Sequence, residues 1–371
     1  MKSICNYKEC TGCGVCQNIC THDAITMKAD WCGFLRPQIN HDKCVDCGLC
    51  HKVCPSNHDI PPFEFGNAIA FIESNELYLK RASSGGAFGA IARYVIENGG
   101  IVFGASMDDD YNIVYKGVET VDDLVLLHGS KYVQAYTGNV YKQVKSELKR
   151  GRYVLFCGCP CQVSGLNHFL RKEYERLITM DLICHGVPSQ PYFRDYVHDL
   201  LKHKKDSGIT TFRFRNVSET CCETLHNPLQ RKVHVGFHNK DYYMTYFLWG
   251  KGYRDSCYNC RFAGGERQGD FTIGDFWNNE KAMVFKDVSN GSSLILLNTV
   301  KAQSLRHIFE ENGETHDIGS LEEAIGGTGG QLKHPCKYDI RCKLIYVFYR
   351  LFGLYGPKFL FKVDNLRMNG K

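Results

Sequence analysis

Apolar and polar positions along the chain change period several times, and those changes outline its elements. Ala24-Ile-Thr-Met27 and the run from Phe34 to Ile39 alternate in the period-two pattern of short strands. Pro61 and Pro62 then mark a linker. Ala68 to Ile72 has strand composition. Ser83-Ser-Gly-Gly begins a stretch that takes up helical periodicity through Ala87 to Glu97. Gly100 to Gly104 predicts a strand, Tyr141 to Arg150 a helix with one polar face, and Tyr153 to Phe156 and Leu177 to Ile183 two buried strands. Strands alternating with helices favour an α/β layered core. Residues 205–250 are rich in aromatics and histidines and predict irregular structure.

Within the first sixty residues one pattern occurs twice. Cys10-Thr-Gly-Cys13-Gly-Val-Cys16-Gln-Asn-Ile-Cys20 returns thirty-four residues later as Cys44-Val-Asp-Cys47-Gly-Leu-Cys50-His-Lys-Val-Cys54-Pro55. A [4Fe–4S] cube needs four thiolates. A C-x2-C-x2-C loop wraps three corners, and the fourth comes from the opposite run, so the two motifs interlock. The spacing assigns Cys10, Cys13, Cys16 and Cys54 to one cluster, and Cys44, Cys47, Cys50 and Cys20 to a second. A zinc site uses paired C-x2-C spacings rather than this tandem. Thr21 stands where the second run has Pro55, a change that loosens the turn without removing a ligand. Cys5 and Cys32 fall outside both runs and read as free buried cysteines.

Composition sharpens this picture. The 371 residues include 20 cysteines, ten of them before residue 55. The opening residues have no signal-peptide pattern, and no apolar run is long enough to cross a membrane. Thiols at short regular spacings then point to metal ligation in a reducing cytoplasm. The net charge of +5 is uneven. From 336 to 371 there are eight Lys or Arg against Asp339 and Asp364, which is 8 − 2 = +6. The main body is near neutral and has no nucleic-acid groove signature. The basic aromatic tail suits a membrane surface or a docking partner. The plainer reading, a C-terminal helix packed on its own domain, is preferred.

Six blocks follow in order: Ser83-Ser84-Gly85-Gly86-Ala87-Phe88, Gly129-Ser130-Lys131-Tyr132, Gly158-Cys159-Pro160-Cys161-Gln162, Asp181-Leu-Ile-Cys184-His185-Gly186, Cys257-Tyr-Asn-Cys260 and Asp270-Phe-Thr-Ile-Gly-Asp275-Phe-Trp277. Over residues 65–330 this resembles the coenzyme F(420) hydrogenase/dehydrogenase beta-subunit family, whose members are flavin proteins with an iron–sulfur cluster near the flavin. The resemblance implies FAD, and the lack of G-x-G-x-x-G argues against a Rossmann site. Ser83, Ser84, Gly85 and Gly86 opening a helix suit a phosphate, and Ser130 with Lys131 would complete the site. The blocks also imply a third [4Fe–4S] cluster on Cys161, Cys184, Cys257 and Cys260. Cys157 and Cys159 compete for the place of Cys161, and zinc at Cys257 and Cys260 is the rival ion. Asp270 and Asp275, five apart, do not share a strand face and are not a catalytic pair. Asp275 reads as orienting flavin or substrate, or as a turn cap. His185 reads as structural ahead of a proton donor.

The expected architecture is α+β with α/β character: a 2[4Fe–4S] ferredoxin-like domain (1–62), then a mixed α/β flavin-binding core in two parts (65–148 and 150–330), and a tail (336–371). The expected function is a cytoplasmic oxidoreductase passing electrons between the clusters, FAD and an organic acceptor, deazaflavin-like or a biosynthetic intermediate. It would work with a redox partner protein or a small donor or acceptor. The alternative is a non-catalytic relay subunit of a larger redox complex. An open substrate pocket at the flavin favours the enzyme, and a flavin edge facing a docking surface favours the relay.

Overall fold

The computed structural model describes residues 3–202, 211–215, 221–226, 232–237, 240–278, 284–289, 291–325 and 330–369. Strands β1 (Ile25–Ala29) and β2 (Leu35–Ile39) pair antiparallel beside the short helices Val15–Ile19 and Leu49–Lys52 that follow the two cysteine loops. The main sheet uses β3 (Ala68–Glu73), β4 (Ile101–Met107), β5 (Ile113–Val118), β6 (Val154–Gly158) and β7 (Leu177–Leu182). Strands β8 (Thr211–Arg213), β9 (Cys221–His226) and β10 (Lys232–Phe237) form a separate antiparallel sheet. The main sheet is completed by β11 (Phe271–Asp275), β12 (Ser293–Leu297) and β13 (Gly313–Ile318), in the order β13-β3-β12-β11-β7-β6-β4-β5.

Its centre, β4-β6-β7-β11, is parallel, and both edges are antiparallel. The parallel strands are buried on both faces, which is why they read as continuous apolar runs. Val102, Leu155, Ile178 and Met180 face helix Ala87–Glu97. Ile101, Phe103, Val154, Phe156 and Leu177 face helices Val140–Lys149 and Pro160–Leu170.

The expected irregular region at 205–250 contains three paired strands and helix Tyr242–Leu248 within its described residues; 205–210, 216–220, 227–231 and 238–239 lie outside them. Val233, Val235 and Phe237 alternate in the sequence, but the run is short and rich in His and Lys, which masks the period.

The N-terminal cysteine module is built into the core. Cys13, Val15, Ile19 and Val53 share a cluster with the helices Val140–Lys149 and Pro160–Leu170. Thr137 Oγ1 donates to Cys13 O at 3.0 Å, and Asn18 Nδ2 to Gly138 O at 2.7 Å. Gly14, at φ 78°, leaves so little room that a Cβ would lie 2.2 Å from Thr137 Oγ1. The Pro61-Pro62 segment is pinned, with Glu266 N donating to Pro61 O at 2.7 Å.

Helices Ile340–Phe352 and Tyr355–Asn369 form a hairpin on a largely aromatic core with Tyr192, Phe193 and Tyr243. Asp339 caps the first helix, and Ser189 N donates to Tyr346 Oη at 2.9 Å.

Candidate metal centres

Both tandem sets converge as the spacing requires. Cys20, Cys44, Cys47 and Cys50 line one open pocket, and Cys47 is exposed. Cys10, Cys13, Cys16 and Cys54 are all buried. Burial raises the Cys16 thiol, and its neighbours Cys13, Cys10 and Cys54 raise it further. Four mutually repelling thiols in one buried place suit a cationic iron cluster. Gly12, Gly14 and Gly48 adopt left-handed backbone, which turns each loop tightly around its site. Cys5, read as a bystander, touches Cys10 and Cys54, and Cys10 is held well below the usual thiol range, first by that contact and then by Arg254. Cys32 is half-buried beside the aromatic core.

Arg254 gave no signal in the sequence. It is completely buried, donates through Nε to Cys10 O at 2.6 Å and through Nη2 to Leu35 O at 2.9 Å, and its Nη2 reaches Cys10 Sγ at 3.4 Å. Gln134 Oε1 accepts from Nη1 at 3.2 Å. The guanidinium thus joins the cysteine module to the core at a ligand.

A second cavity lies beyond the ends of β6 and β7 and is lined by Cys159, Cys161, Cys184, Cys257 and Cys260. Ligand sites in open α/β sheets form at the carboxyl ends of parallel strands. Pro160 starts the helix that carries Cys161, and Cys184 stands two residues past the end of β7. Cys159 joins them: its Sγ lies 3.7 Å from Cys184 Sγ, and that contact, with Gly186 N–H and Arg267 adding, holds Cys184 below the ordinary range. Burial raises Cys161 and Cys260. Cys157 points the other way, toward Lys131 and the helix Ala87–Glu97. On β6 Phe156 and Cys157 face opposite sides, and because the strand ends at Gly158 the turn into helix Pro160–Leu170 takes Cys159 out of the strand's period. Cys336, which the sequence left unassigned, also lines this cavity and contacts His185.

Among the described residues, no three His, Cys, Asp or Glu stand close enough for a single metal ion. A zinc site would need four ligands around one point with Zn–S bonds of about 2.3 Å, and the Cys159–Cys184 contact at 3.7 Å supplies only a pair. Five thiols around a cavity leave room for a larger group.

The two cysteine regions adjoin. Thr11, inside the first ligand loop, is part of the second cavity's wall. The helix Pro160–Leu170 brings Gly165 against Cys13, where a Cβ would lie 3.2 Å from Sγ. Asp181, which opens one of the six blocks but was given no role there, is fully buried under the cavity, paired with Arg267 at 2.6 Å and accepting from Gly269 N at 3.0 Å. His185 lies on the cavity wall near Tyr253, and burial lowers its pKa. Asp270 accepts from Thr179 N at 2.9 Å and Asp275 pairs with Arg215, so the two carboxylates serve separate structural contacts.

Ser83 and Ser130 meet as expected: Ser130 N donates to Ser83 Oγ at 2.7 Å. Ser84 Oγ donates to Ser292 O at 2.7 Å, so both serine oxygens already have partners inside the chain. Gly85 is pressed on β3 and β12, where a Cβ would lie 2.1 Å from Phe71 O. No side chain caps the helix at Gly86. Lys131 donates to Leu127 O at 2.9 Å and His128 O at 2.8 Å, and burial pulls its pKa to about 7. Burial, with Lys131, Arg81 and Arg213 nearby, takes His128 to about 4. Like charges gathered beside an uncapped helix start fit an anion.

These features define an iron–sulfur protein with a dicluster module built into a mixed α/β core. Residues 9–58 match the 4Fe-4S dicluster domain, and residues 151–318 match the C terminus of the coenzyme F420 hydrogenase/dehydrogenase beta subunit. The chain thus carries a dicluster domain ahead of a segment similar to the C-terminal domain of that beta-subunit family. Thirteen chains of solved structures match it. One, from the xenon-derivatised F420-reducing [NiFe] hydrogenase complex of Methanosarcina barkeri, is 14% identical, with 74% of this chain and 89% of that chain covered and a TM-score of 0.49. No curated protein matches. The chain is therefore an oxidoreductase-linked iron–sulfur protein with two [4Fe–4S] clusters.

Proposed function

We propose that this chain is an iron–sulfur flavoprotein oxidoreductase that exchanges electrons between its ferredoxin clusters and FAD, and between FAD and an organic acceptor, either a deazaflavin or a biosynthetic intermediate. Cys161, Cys184, Cys257 and Cys260 would hold a third [4Fe–4S] cluster. Ser83–Gly86, Ser130 and Lys131 would hold the flavin's phosphates. When bound, the clusters supply one-electron transfer, and FAD couples it to two-electron exchange with the acceptor.

The observation that carries this reading is the cysteine-lined cavity with Thr11 of the first ligand loop on its wall. The chain's own residues support it in three ways. Exposed Cys47 leaves one ferredoxin site open to a redox partner, while the buried Cys10 set lies inward. Asp181 and Arg267 neutralise each other beneath the cavity and hold the backbone at Gln268 and Gly269. Arg81, Arg213 and Lys131 gather positive charge where an anion would bind.

Metal analysis after anaerobic purification tests the reading. About twelve iron and twelve acid-labile sulfide per chain are expected. Cys260→Ala should lower iron to about eight, keep the ferredoxin signals and block flavin reduction by an external one-electron donor. About eight iron in the unaltered chain, or one equivalent of zinc, would remove the inner cluster. Normal flavin reduction in Cys260→Ala would disprove the electron path.

A further inference from the structure

The C-terminal hairpin buries one side and leaves the other bare. In helix Tyr355–Asn369, Gly356, Pro357, Leu360 and Phe361 are buried. Tyr355, Phe359 and Leu366 are 84%, 58% and 75% exposed. With Lys362 they fall at i, i+4, i+7 and i+11, within an arc of roughly 60° at about 100° per residue. Leu351 and Phe352 extend this apolar stripe around the turn, and Ile340 is exposed at the far end of the preceding helix.

The charges around the stripe have one sign. Lys343, Arg350 and Lys362 are exposed, and among the described residues no carboxylate pairs with them. The tail's only two acids are occupied elsewhere: Asp339 pairs with Lys251, and Asp364 with Arg341 at 2.6 Å. Among the described residues no helix is long and apolar enough to cross a membrane. Protein interface cores are depleted in lysine, whereas a lysine on the midline of an apolar helix face can extend its stem and keep its ammonium among lipid headgroups.

We infer that the hairpin seats this protein on an anionic lipid bilayer, with Tyr355, Phe359 and Leu366 inserted at the headgroup boundary and Lys343, Arg350 and Lys362 contacting acidic headgroups. The helix lies flat on the surface, and the protein is peripheral.

Vesicle co-sedimentation of the full iron-loaded chain is the test, using phosphatidylcholine vesicles with and without about 30 mol% phosphatidylglycerol. The chain should pellet with the anionic vesicles and stay in solution with the neutral ones. Phe359→Ser/Leu366→Ser should reduce the bound fraction at least about fivefold with iron content and visible spectrum unchanged. Lys343→Glu/Lys362→Glu should reduce it more than about tenfold at low salt, since each basic residue near such a surface contributes about fivefold. Equal binding to both vesicle types, or none, overturns the inference. So does a solution dimer that Phe359→Ser/Leu366→Ser converts to monomer, because the stripe would then be covered by a second copy.

Discussion

Replacing Arg254 with Met removes a fully buried cation that touches a ferredoxin ligand. Its Nη2 is 3.4 Å from Cys10 Sγ. At an effective dielectric constant of about 20, a full charge pair at that separation is worth about 5 kcal/mol. An added electron spreads over the irons and sulfurs of the cluster, so roughly 2 kcal/mol reaches the couple. At about 59 mV per 1.4 kcal/mol for one electron, the potential should fall on the order of 100 mV. The direction follows from charge: a cation stabilises the reduced, more negative state. Stability should fall as well, by about 3–5 kcal/mol, because Cys10 O, Leu35 O and Gln134 Oε1 lose their donor in a buried place. The assay is a redox titration followed by electron paramagnetic resonance, on protein whose iron content equals that of the unaltered chain. Arg254→Lys keeps the charge and loses the planar fork, so its potential should shift by less than half as much. A fully loaded Arg254→Met protein whose potential rises, or moves by less than about 20 mV, would refute the electrostatic assignment.

Lys131→Glu should lower bound flavin at least about tenfold with iron unchanged, measured by flavin fluorescence after heat release. FAD affinity should also fall as pH rises above about 7, because burial brings the Lys131 pKa there and an anion must restore its proton. The flavin-free chain should show the opposite trend in thermal unfolding: between pH 7 and 10.5 the unfolded state binds the extra proton, so Lys131 makes stability rise with pH. Affinity that increases over this window would rule out Lys131 as the phosphate cation. Gly14→Ala combines a left-handed φ of 78° with a Cβ 2.2 Å from Thr137 Oγ1, and should cost at least about 2 kcal/mol and lower iron content. An unchanged melting temperature would mean that this interface yields.

The ferredoxin ligands were legible because ligand spacing is a local property. A C-x2-C-x2-C loop carries three corners within seven residues, and its duplicate identifies the fourth. The buried parallel strands were legible for a related reason, since a strand covered on both faces is apolar at most of its positions, Thr179 and Asp181 in β7 aside. The family blocks likewise brought Cys161, Cys184, Cys257 and Cys260 to one cavity wall. The aromatic stretch around 242–248 was not legible as a helix, because all its ring-bearing faces are buried and no polar stripe marks its period.

Tertiary structure alone decided what joins these parts. Strand β3 sits between β13 and β12, partners more than two hundred residues away. Arg254 reaches Cys10 across 244 positions, and Arg267 reaches Asp181 across 86. Cys159 enters the inner cavity while Cys157 leaves it, a choice made by the pleat of β6 and the turn that follows it. Arg81 and Arg213 collect beside Lys131 only after the sheet has closed. Local chemistry is written in short spacings, which survive in any fold. Buried charges and shared cavities depend on which distant segments the main sheet brings together, and no short-range pattern carries that information.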